Sequence, residues 1–251
     1  MRTSDDIITP SHFIDYLCAA LKLSAAEIRL PSRGIIVFGA DDFEAVRRAL
    51  HGGRASWSQW QSVGRVGRHR AFVGRSHIGA PAAATVLEEM GGRGVRSCIA
   101  FGACGSLLED LPIGSIVLPA FAHADDGTSR HYGAPRRPRA NASLVAAIRD
   151  SCRKRGLPYR AGGVWTTDAP YRESRAVARA MARQGVVAVE MEAAAPYAVA
   201  RYRRLQVASL MVVWDELGGE GWNPGFQNPL FLRTKRKAIR AVVDALSKVG
   251  L

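Results

Sequence analysis

Short apolar runs alternate with stretches of helical spacing along most of the chain. The run Gly-Ile-Ile-Val-Phe-Gly at residues 34–39 predicts a buried strand, and the pattern after it predicts a helix over residues 42–50. The same alternation then predicts strands over residues 71–74, 95–101, 115–118, 163–165, 186–189 and 207–214, and helices over residues 81–90, 142–155, 174–183, 193–202 and 230–247.

Strand–helix alternation of this kind predicts an α/β fold: a single domain with a central mixed, largely parallel β-sheet flanked by helices. The 251 residues suit one such domain, and residues 1–30 are expected to form an N-terminal helical extension of it. Residues 125–140 are polar and basic and are expected to form a surface loop. Ligands of such folds bind beyond the carboxyl ends of the strands, where functional residues are therefore expected.

Two carboxylates flank a methionine at the end of one predicted strand. Glu190, Met191 and Glu192 stand directly before an alanine-rich helix. A carboxylate in this position can accept hydrogen bonds from two neighbouring sugar hydroxyls and can stabilise positive charge on a ribose ring, while methionine offers an apolar wall. Two structural readings remain open: Glu192 as a helix-start acid favoured by the helix dipole, and Glu190 as the partner of an arginine.

Five short motifs follow one another along the chain: Ile78-Gly-Ala-Pro81, Phe101-Gly-Ala-Cys-Gly-Ser-Leu107, Thr166-Thr-Asp-Ala-Pro-Tyr171, Val189-Glu-Met-Glu-Ala-Ala194 and Val212-Val-Trp-Asp-Glu-Leu217. In this order they resemble the nucleoside phosphorylase-I family, which includes purine nucleoside phosphorylases, uridine phosphorylases and related nucleosidases. The resemblance extends from about residue 34 to residue 249 and implies cleavage of an N-ribosidic bond through an oxocarbenium-like state.

The resemblance also implies roles for individual residues. Glu192 would hold the ribose hydroxyls, with Met191 against the sugar and Glu190 as a supporting carboxylate. Asp215 would protonate or hydrogen-bond the departing base, because a base is a poor leaving group as an anion; its structural alternative is a turn cap. The residues expected near the base, besides Asp215, are Tyr171, Trp165, Arg172 and Trp214.

The expected phosphate site departs from the family pattern. Phe43 and Ala100 stand where the phosphorylases have arginines, and Ala103 stands where they have a hydroxyl. Guanidinium groups that bind phosphate in a bidentate manner are therefore missing from these positions. The residues that remain candidates for the phosphate or nucleophile site are Gly39, Gly102, Ala103, Arg54 (lent by a neighbouring subunit), Arg75 and His77.

Three functions stay open on this evidence. Phosphorolysis of a purine-like nucleoside, giving free base and ribose 1-phosphate with inorganic phosphate as co-substrate, is preferred, since the residues that read uracil have no clear counterpart. Hydrolysis by water is the alternative; the nucleosidase branch uses a first-strand carboxylate, but the matching position is again Phe43. A protein that binds nucleosides or nucleic acid without catalysis is the third.

Composition limits the partners further. The net charge of +13 would suit nucleic acid, but no helix-turn-helix, zinc-finger or RNA-binding motif accompanies it, so nucleic acid is an unlikely partner. Four scattered cysteines and the lack of a signal or membrane-spanning run favour a cytoplasmic protein. No metal or organic cofactor is expected. The family resemblance implies a homo-oligomer, a dimer or a trimer of dimers, for which apolar loops around Trp57, Trp60 and Phe72 are candidate contacts.

Overall fold

The computed structural model of the protein describes residues 6–248. Seven helices are described in this range: α1 Pro10–Leu21, α2 Ala40–Ala49, α3 Ala80–Gly92, α4 Ala142–Lys154, α5 Arg175–Ala182, α6 Ala194–Arg203 and α7 Pro229–Ser247. The strands are β1 Arg33–Val37, β2 Gly53–Ala55, β3 Ser58–Val66, β4 His69–Arg75, β5 Ser97–Ser106, β6 Ile116–Asp125, β7 Arg160–Thr167, β8 Val186–Glu190, β9 Gln206–Glu216 and β10 Asn223–Pro224.

The strands form one sheet in the order β10-β9-β6-β7-β8-β5-β1-β4-β3-β2. Strand β9 also pairs with β5, so that β5, β9, β6, β7 and β8 close into a barrel-like ring. The long β5–β9 and β6–β7 ladders are parallel, whereas β5–β8 and β6–β9 are antiparallel. The predicted mixed sheet with flanking helices is confirmed, and the closure of five strands on one another is the feature that the prediction lacked.

Trp60 and Phe72 lie in the two strands of a hairpin, so the prediction of loops was wrong at these residues, whereas Trp57 lies in the turn between β2 and β3. Strands β3 and β4 pair antiparallel and are joined across a two-residue turn in which Gly67 has a φ of 56°. Phe72 is fully buried in β4. Side chains alternate between the two faces of each strand, and one face packs against the protein interior. Apolar residues in this segment therefore form strands and not loops.

Helices cover both faces of the sheet and create two main core layers. Helices α2, α4 and α7 pack on one face, through side chains such as Phe43, Leu144 and Phe231. Helices α3 and α6 pack on the other, through side chains such as Leu87 and Tyr197. Because helices cover both faces of the apolar strands, a ligand site is expected at the carboxyl ends of the strands.

The N-terminal extension contains α1, which begins after the cap residue Thr9. It lies beside α3, where a methyl group on Gly92 would meet Ile14 and Pro10. Residues 1–5 of the predicted extension lie outside the described residues. Within residues 6–248, every helix is too short or too polar to cross a lipid bilayer.

Candidate active site

A cavity of about 970 Å³ opens at the carboxyl ends of β1, β5, β8 and β9. The predicted residues that line it are Gly39, Gly102, Ala103, Tyr171, Glu190, Met191, Glu192, Trp214 and Asp215. Residues far apart in sequence therefore meet where the sheet topology brings these four strand ends together. The cavity is the candidate active site.

Glu192 is held in the cavity wall by a backbone donor. Its side chain follows β8, is only 8% exposed, and accepts a hydrogen bond of 2.7 Å at Oε1 from the N–H of Gly79. Gly79 precedes α3 and has a φ of 106°, a conformation that favours glycine. The Ile-Gly-Ala-Pro motif thus fixes one carboxylate oxygen of Glu192. Burial raises the pKa of Glu192.

Glu190 has different surroundings from Glu192. Its Oε2 accepts hydrogen bonds from the N–H groups of Glu192 and Ala193, at 2.8 and 2.7 Å, and its Oε1 accepts one from the hydroxyl of Thr166. Burial raises the pKa of Glu190, and the nearby charge of Glu192 adds to the shift. Since both oxygens already accept bonds, Glu190 positions the backbone of Glu192 and has little capacity left for sugar hydroxyls.

Asp215 lies opposite, where β9 passes Gly105 of β5. Its Oδ2 accepts a hydrogen bond of 2.7 Å from the indole N–H of Trp222. Its Oδ1 is buried and has no hydrogen-bond partner among the described residues. Burial raises the pKa of Asp215, which favours the protonated acid. A protonated carboxyl group in a cavity wall can donate its proton to a bound ligand.

Aromatic rings and a third glutamate line the part of the cavity next to Asp215. Trp214 and Trp222 both lie near Phe226, with ring centroids 4.6 and 5.9 Å from its own. Tyr171 also lines the cavity and is almost fully exposed. Burial, assisted by the charge of Asp215, raises the pKa of Glu173 to about 7. Flat rings beside polar groups suit the stacking of a planar base.

The loop after β1 and the glycine-rich end of β5 line another part of the cavity. Gly39, Gly102 and Ala103 lie there, as predicted. Asp42, in the first turn of α2, pairs with Lys235 of α7 at 3.0 Å between Oδ1 and Nζ. Phe43, at the expected arginine position, is fully buried and edge-on to Trp60.

The structure does not bring Trp165 and Arg172 to the cavity, although both are sequence candidates for the base. Trp165 is 3% exposed and donates its indole N–H to Asp125 at 3.0 Å. Neighbouring side chains of a strand point to opposite faces, and Thr166 already faces Glu190, so Trp165 faces α5. Arg172 is exposed on a short turn and does not line the cavity.

Arg54, Arg75 and His77 do not line the cavity of this chain either. Arg54 is a partly exposed residue of β2 that pairs with Glu44 at 2.5 Å. The guanidinium of Arg75 lies 4.3 Å from the ring centre of Trp60 and donates to the carbonyl of Phe38. His77 is exposed. A relocated anion site on Arg75 and His77 thus gains no support from their positions.

The titratable residues of the cavity wall are mostly acidic. Six acidic residues line it, namely Asp41, Asp42, Glu173, Glu190, Glu192 and Asp215. Lys235 is the one basic residue among the described residues that line it. An acidic wall in a chain of net charge +13 is unexpected from composition and favours positive charge developing on a bound ligand.

Lys235, Glu173 and Trp222 are cavity residues that the sequence reading missed. Lys235 belongs to the amphipathic pattern of α7, in which polar positions look alike whether they face solvent or a cavity. Trp222 lies in a glycine-rich segment near the short strand β10. A large aromatic residue among turn residues is a sequence signal that could have indicated a binding role for Trp222.

Comparison with known proteins agrees with the fold and the motifs. The profile of the phosphorylase superfamily matches residues 33–248, and the chain belongs to this superfamily. Purine nucleoside phosphorylases of the DeoD type from Bacillus cereus and Bacillus thuringiensis are each 30% identical over 151 residues. Each match covers 59% of this chain and 64% of the relative, so the chain spans less than two thirds of their length.

Solved structures show the same fold. Uridine phosphorylase from Vibrio fischeri ES114 superimposes with a TM-score of 0.78 at 20% identity, covering 89% of this chain and 95% of that one. A second structure of that enzyme, in complex with 6-hydroxy-1-naphthoic acid, gives a TM-score of 0.79 at 21% identity, covering 89% and 94%. The sheet that positions the cavity is therefore the fold of this superfamily.

Proposed function

We propose that this protein cleaves the N-ribosidic bond of a nucleoside. The proposal rests on the meeting of Glu192, Met191 and Asp215 in one cavity, where Oδ1 of Asp215 is buried and has no hydrogen-bond partner among the described residues. A carboxylate, an apolar wall and a buried acid are the groups needed to grip a ribose and to release its base. Superfamily membership supports the same reaction class.

Glu192 and Asp215 would have separate roles in the reaction. The nucleophile's oxygen forms a bond to C1′ while the bond from C1′ to the base nitrogen breaks, and the electron pair of that bond stays on the base. Glu192, with one oxygen fixed by Gly79, stabilises the positive charge that develops on the ribose. Asp215 gives its proton to the departing base and regains one from solvent.

Phosphate is the nucleophile that the relatives favour. The DeoD-type relatives are named purine nucleoside phosphorylases, and we extend that activity to this chain as a proposal. The products would be a free purine-like base and ribose 1-phosphate. Trp222 and Asp215, which are hydrogen-bonded to each other in the cavity, would contact the purine ring.

Hydrolysis is the second candidate, and the acidic cavity wall favours it. A phosphate dianion would enter a wall with six acidic residues and one lysine. The positions at which the family has two arginines and a hydroxyl hold Phe43, Ala100 and Ala103 instead. Water carries no such electrostatic cost. Asp41 and Asp42 line the part of the cavity near Gly39 and are the carboxylates placed to take a proton from it.

A nucleoside panel assayed with and without phosphate tests both candidates. Inosine, guanosine, adenosine and uridine are incubated with the purified protein in phosphate-containing and phosphate-free buffer, and the base and the sugar are identified. Phosphorolysis predicts base release only with phosphate, together with ribose 1-phosphate. Equal release in both buffers, together with free ribose, would establish hydrolysis, and no release from any nucleoside would refute the proposed function.

A further inference from the structure

Among the described residues of the cavity wall, Lys235 is the one basic side chain, and it comes from a helix outside the predicted motifs. It lies in the second turn of α7, remote from the five sequence motifs. Its side chain is 19% exposed, and its Nζ lies 3.0 Å from Asp42 Oδ1 and 5.3 Å from the ring centre of Phe231. A lysine is thus held, partly buried, against an apolar ring and a single carboxylate.

The ion pair between Lys235 and Asp42 is not well explained by a contribution to the stability of the fold. Asp42 is also largely buried, with 13% of its side chain exposed. Removing two charges from water costs free energy that their attraction repays only in part, and an apolar pair of similar volume often stabilises a protein as well or better. Helices α2 and α7 already share apolar packing through Phe43, Val46 and Phe231. The pair therefore points to a ligand in the cavity.

The position of the pair matches the missing part of the phosphate site. Asp42 lies beside Asp41 in the first turn of α2, three residues after the cap residue Gly39, which has no side chain to accept a bond from the helix start. The N–H groups and the helix dipole at a helix start favour an anion, and the carboxylates of Asp41 and Asp42 stand there in this chain. Gly102 and Ala103, from the glycine-rich end of β5, line the same cavity.

We propose that Lys235 is the phosphate ligand of this enzyme and that Asp42 holds the lysine in place while phosphate is absent. On binding, a phosphate oxygen replaces the Asp42 carboxylate beside Nζ, and the first turn of α2 contributes further N–H donors. One ammonium group on α7 thereby takes the part of the absent guanidiniums. This inference rests on the proposed function, because it assigns the co-substrate of the same cavity.

Replacing the lysine tests the assignment directly. Lys235→Met keeps the stem but removes the charge, and should raise the KM for phosphate by about 10- to 100-fold, the loss of one charged hydrogen bond. The KM for the nucleoside should change little. Lys235→Arg should restore most of the phosphate affinity. Lys237→Met, an exposed lysine on the same helix, is the matched control and should leave both constants unchanged.

Direct binding of inorganic phosphate gives a readout that does not depend on turnover. Titration calorimetry should detect phosphate binding to the wild type and its loss in Lys235→Met. Asp42→Asn releases the lysine from its partner and should tighten phosphate binding. A role confined to joining α2 and α7 predicts lower melting temperatures for both variants with phosphate affinity unchanged, and that result would overturn the inference.

The failures of the two proposals are distinguishable. If nucleosides are cleaved equally without phosphate and calorimetry finds no phosphate binding, the assignment of Lys235 is wrong while N-ribosidic cleavage stands. If no nucleoside is cleaved but phosphate binding depends on Lys235, the proposed function is wrong while the anion site stands.

Discussion

Glu190 and Glu192 are two positions apart, yet their carboxylates have different hydrogen-bond partners. Glu190 accepts bonds from Thr166 and from two backbone N–H groups at the start of the next helix. Glu192 accepts a bond from Gly79 at one oxygen and lines the cavity. Spacing by two residues across a strand end thus separates a positioning carboxylate from one that can contact substrate.

Substitution of the two acids Glu192 and Asp215 should rank their contributions. For a nucleoside with a good leaving group, Glu192→Gln should lower kcat/KM by about 10²- to 10³-fold, because charge stabilisation at the sugar is lost. Asp215→Asn should cost less, since such a base departs with little need of a proton. Steady-state kinetics measures both effects, with exposed Glu109→Gln as the control. The reverse ranking would show that the two roles are misassigned.

Glu173 should make the protein less stable as the pH rises. Its folded pKa of about 7 exceeds the ordinary value of 4.5, mainly through burial. Between these values the folded state keeps a proton that the unfolded state releases, so the free energy of unfolding falls with rising pH across that window.

Glu173→Gln should therefore be more stable than the wild type at pH 8 and closer to it at pH 4.5. Urea denaturation at the two pH values measures the difference. The buried acids Glu190, Glu192, Asp215 and Asp42 shift in the same direction, so the wild-type curve alone is not diagnostic. An identical pH dependence of the variant and the wild type would contradict the prediction.

At the scale of elements, strand β5 depends on a glycine where it passes Asp215. The β5–β9 register shifts between Cys104 and Gly105, and Gly105 is the registered partner of Asp215. A Cβ on Gly105 would lie 2.4 Å from Leu217 Cδ1 and 2.9 Å from Asp215 Oδ1. The irregularity lets two strands approach closely enough to place the acid in the cavity.

Gly105→Ala should displace Asp215 and lower turnover strongly, while the protein stays folded. Overpacking of this kind costs about 1–3 kcal/mol of unfolding free energy, which leaves most domains folded. Circular dichroism and kinetics together measure the two effects. Gly219→Ala is the matched control, since a Cβ there would meet no heavy atom within 4 Å. Full activity in Gly105→Ala would contradict this role of the strand.

The strand ends were predictable from the sequence because each follows an apolar run that only a buried strand explains. Glu192 and Asp215 therefore meet as expected. The facing of individual side chains was less predictable. Trp165 differs from Thr166 by one position on β7, and that single step turns it from the side of Glu190 toward α5. The position of Lys235 in the cavity wall could not be predicted from the sequence, since it depends on how α7 packs against α2.

At the scale of the whole molecule, the charge distribution separates the cavity from the rest of the chain. The protein has a net charge of +13, while the cavity wall contains one basic residue among the described residues. The arginines serve mainly outside the cavity, as in the pairs Arg54–Glu44 and Arg203–Glu88. An acidic cavity suits the cationic sugar of the proposed transition state.

We expect the protein to assemble as a dimer or a trimer of dimers, as its family resemblance implies. Ile78, Tyr171 and Trp222 are exposed apolar residues of the cavity lining, and a second subunit would shield them from water. Size-exclusion chromatography with light scattering should give two or six times the chain mass of 27.1 kDa. A monomer at micromolar concentration would contradict this expectation.

The contact between Glu192 and a ribose is the most direct test of the central claim. A crystal structure of the protein with a bound nucleoside, or with its slowly reacting analogue, measures it. We predict that the carboxylate of Glu192 accepts hydrogen bonds from the ribose hydroxyls while the base lies beside Asp215. A nucleoside bound elsewhere, with Glu192 turned away from the sugar, would contradict it.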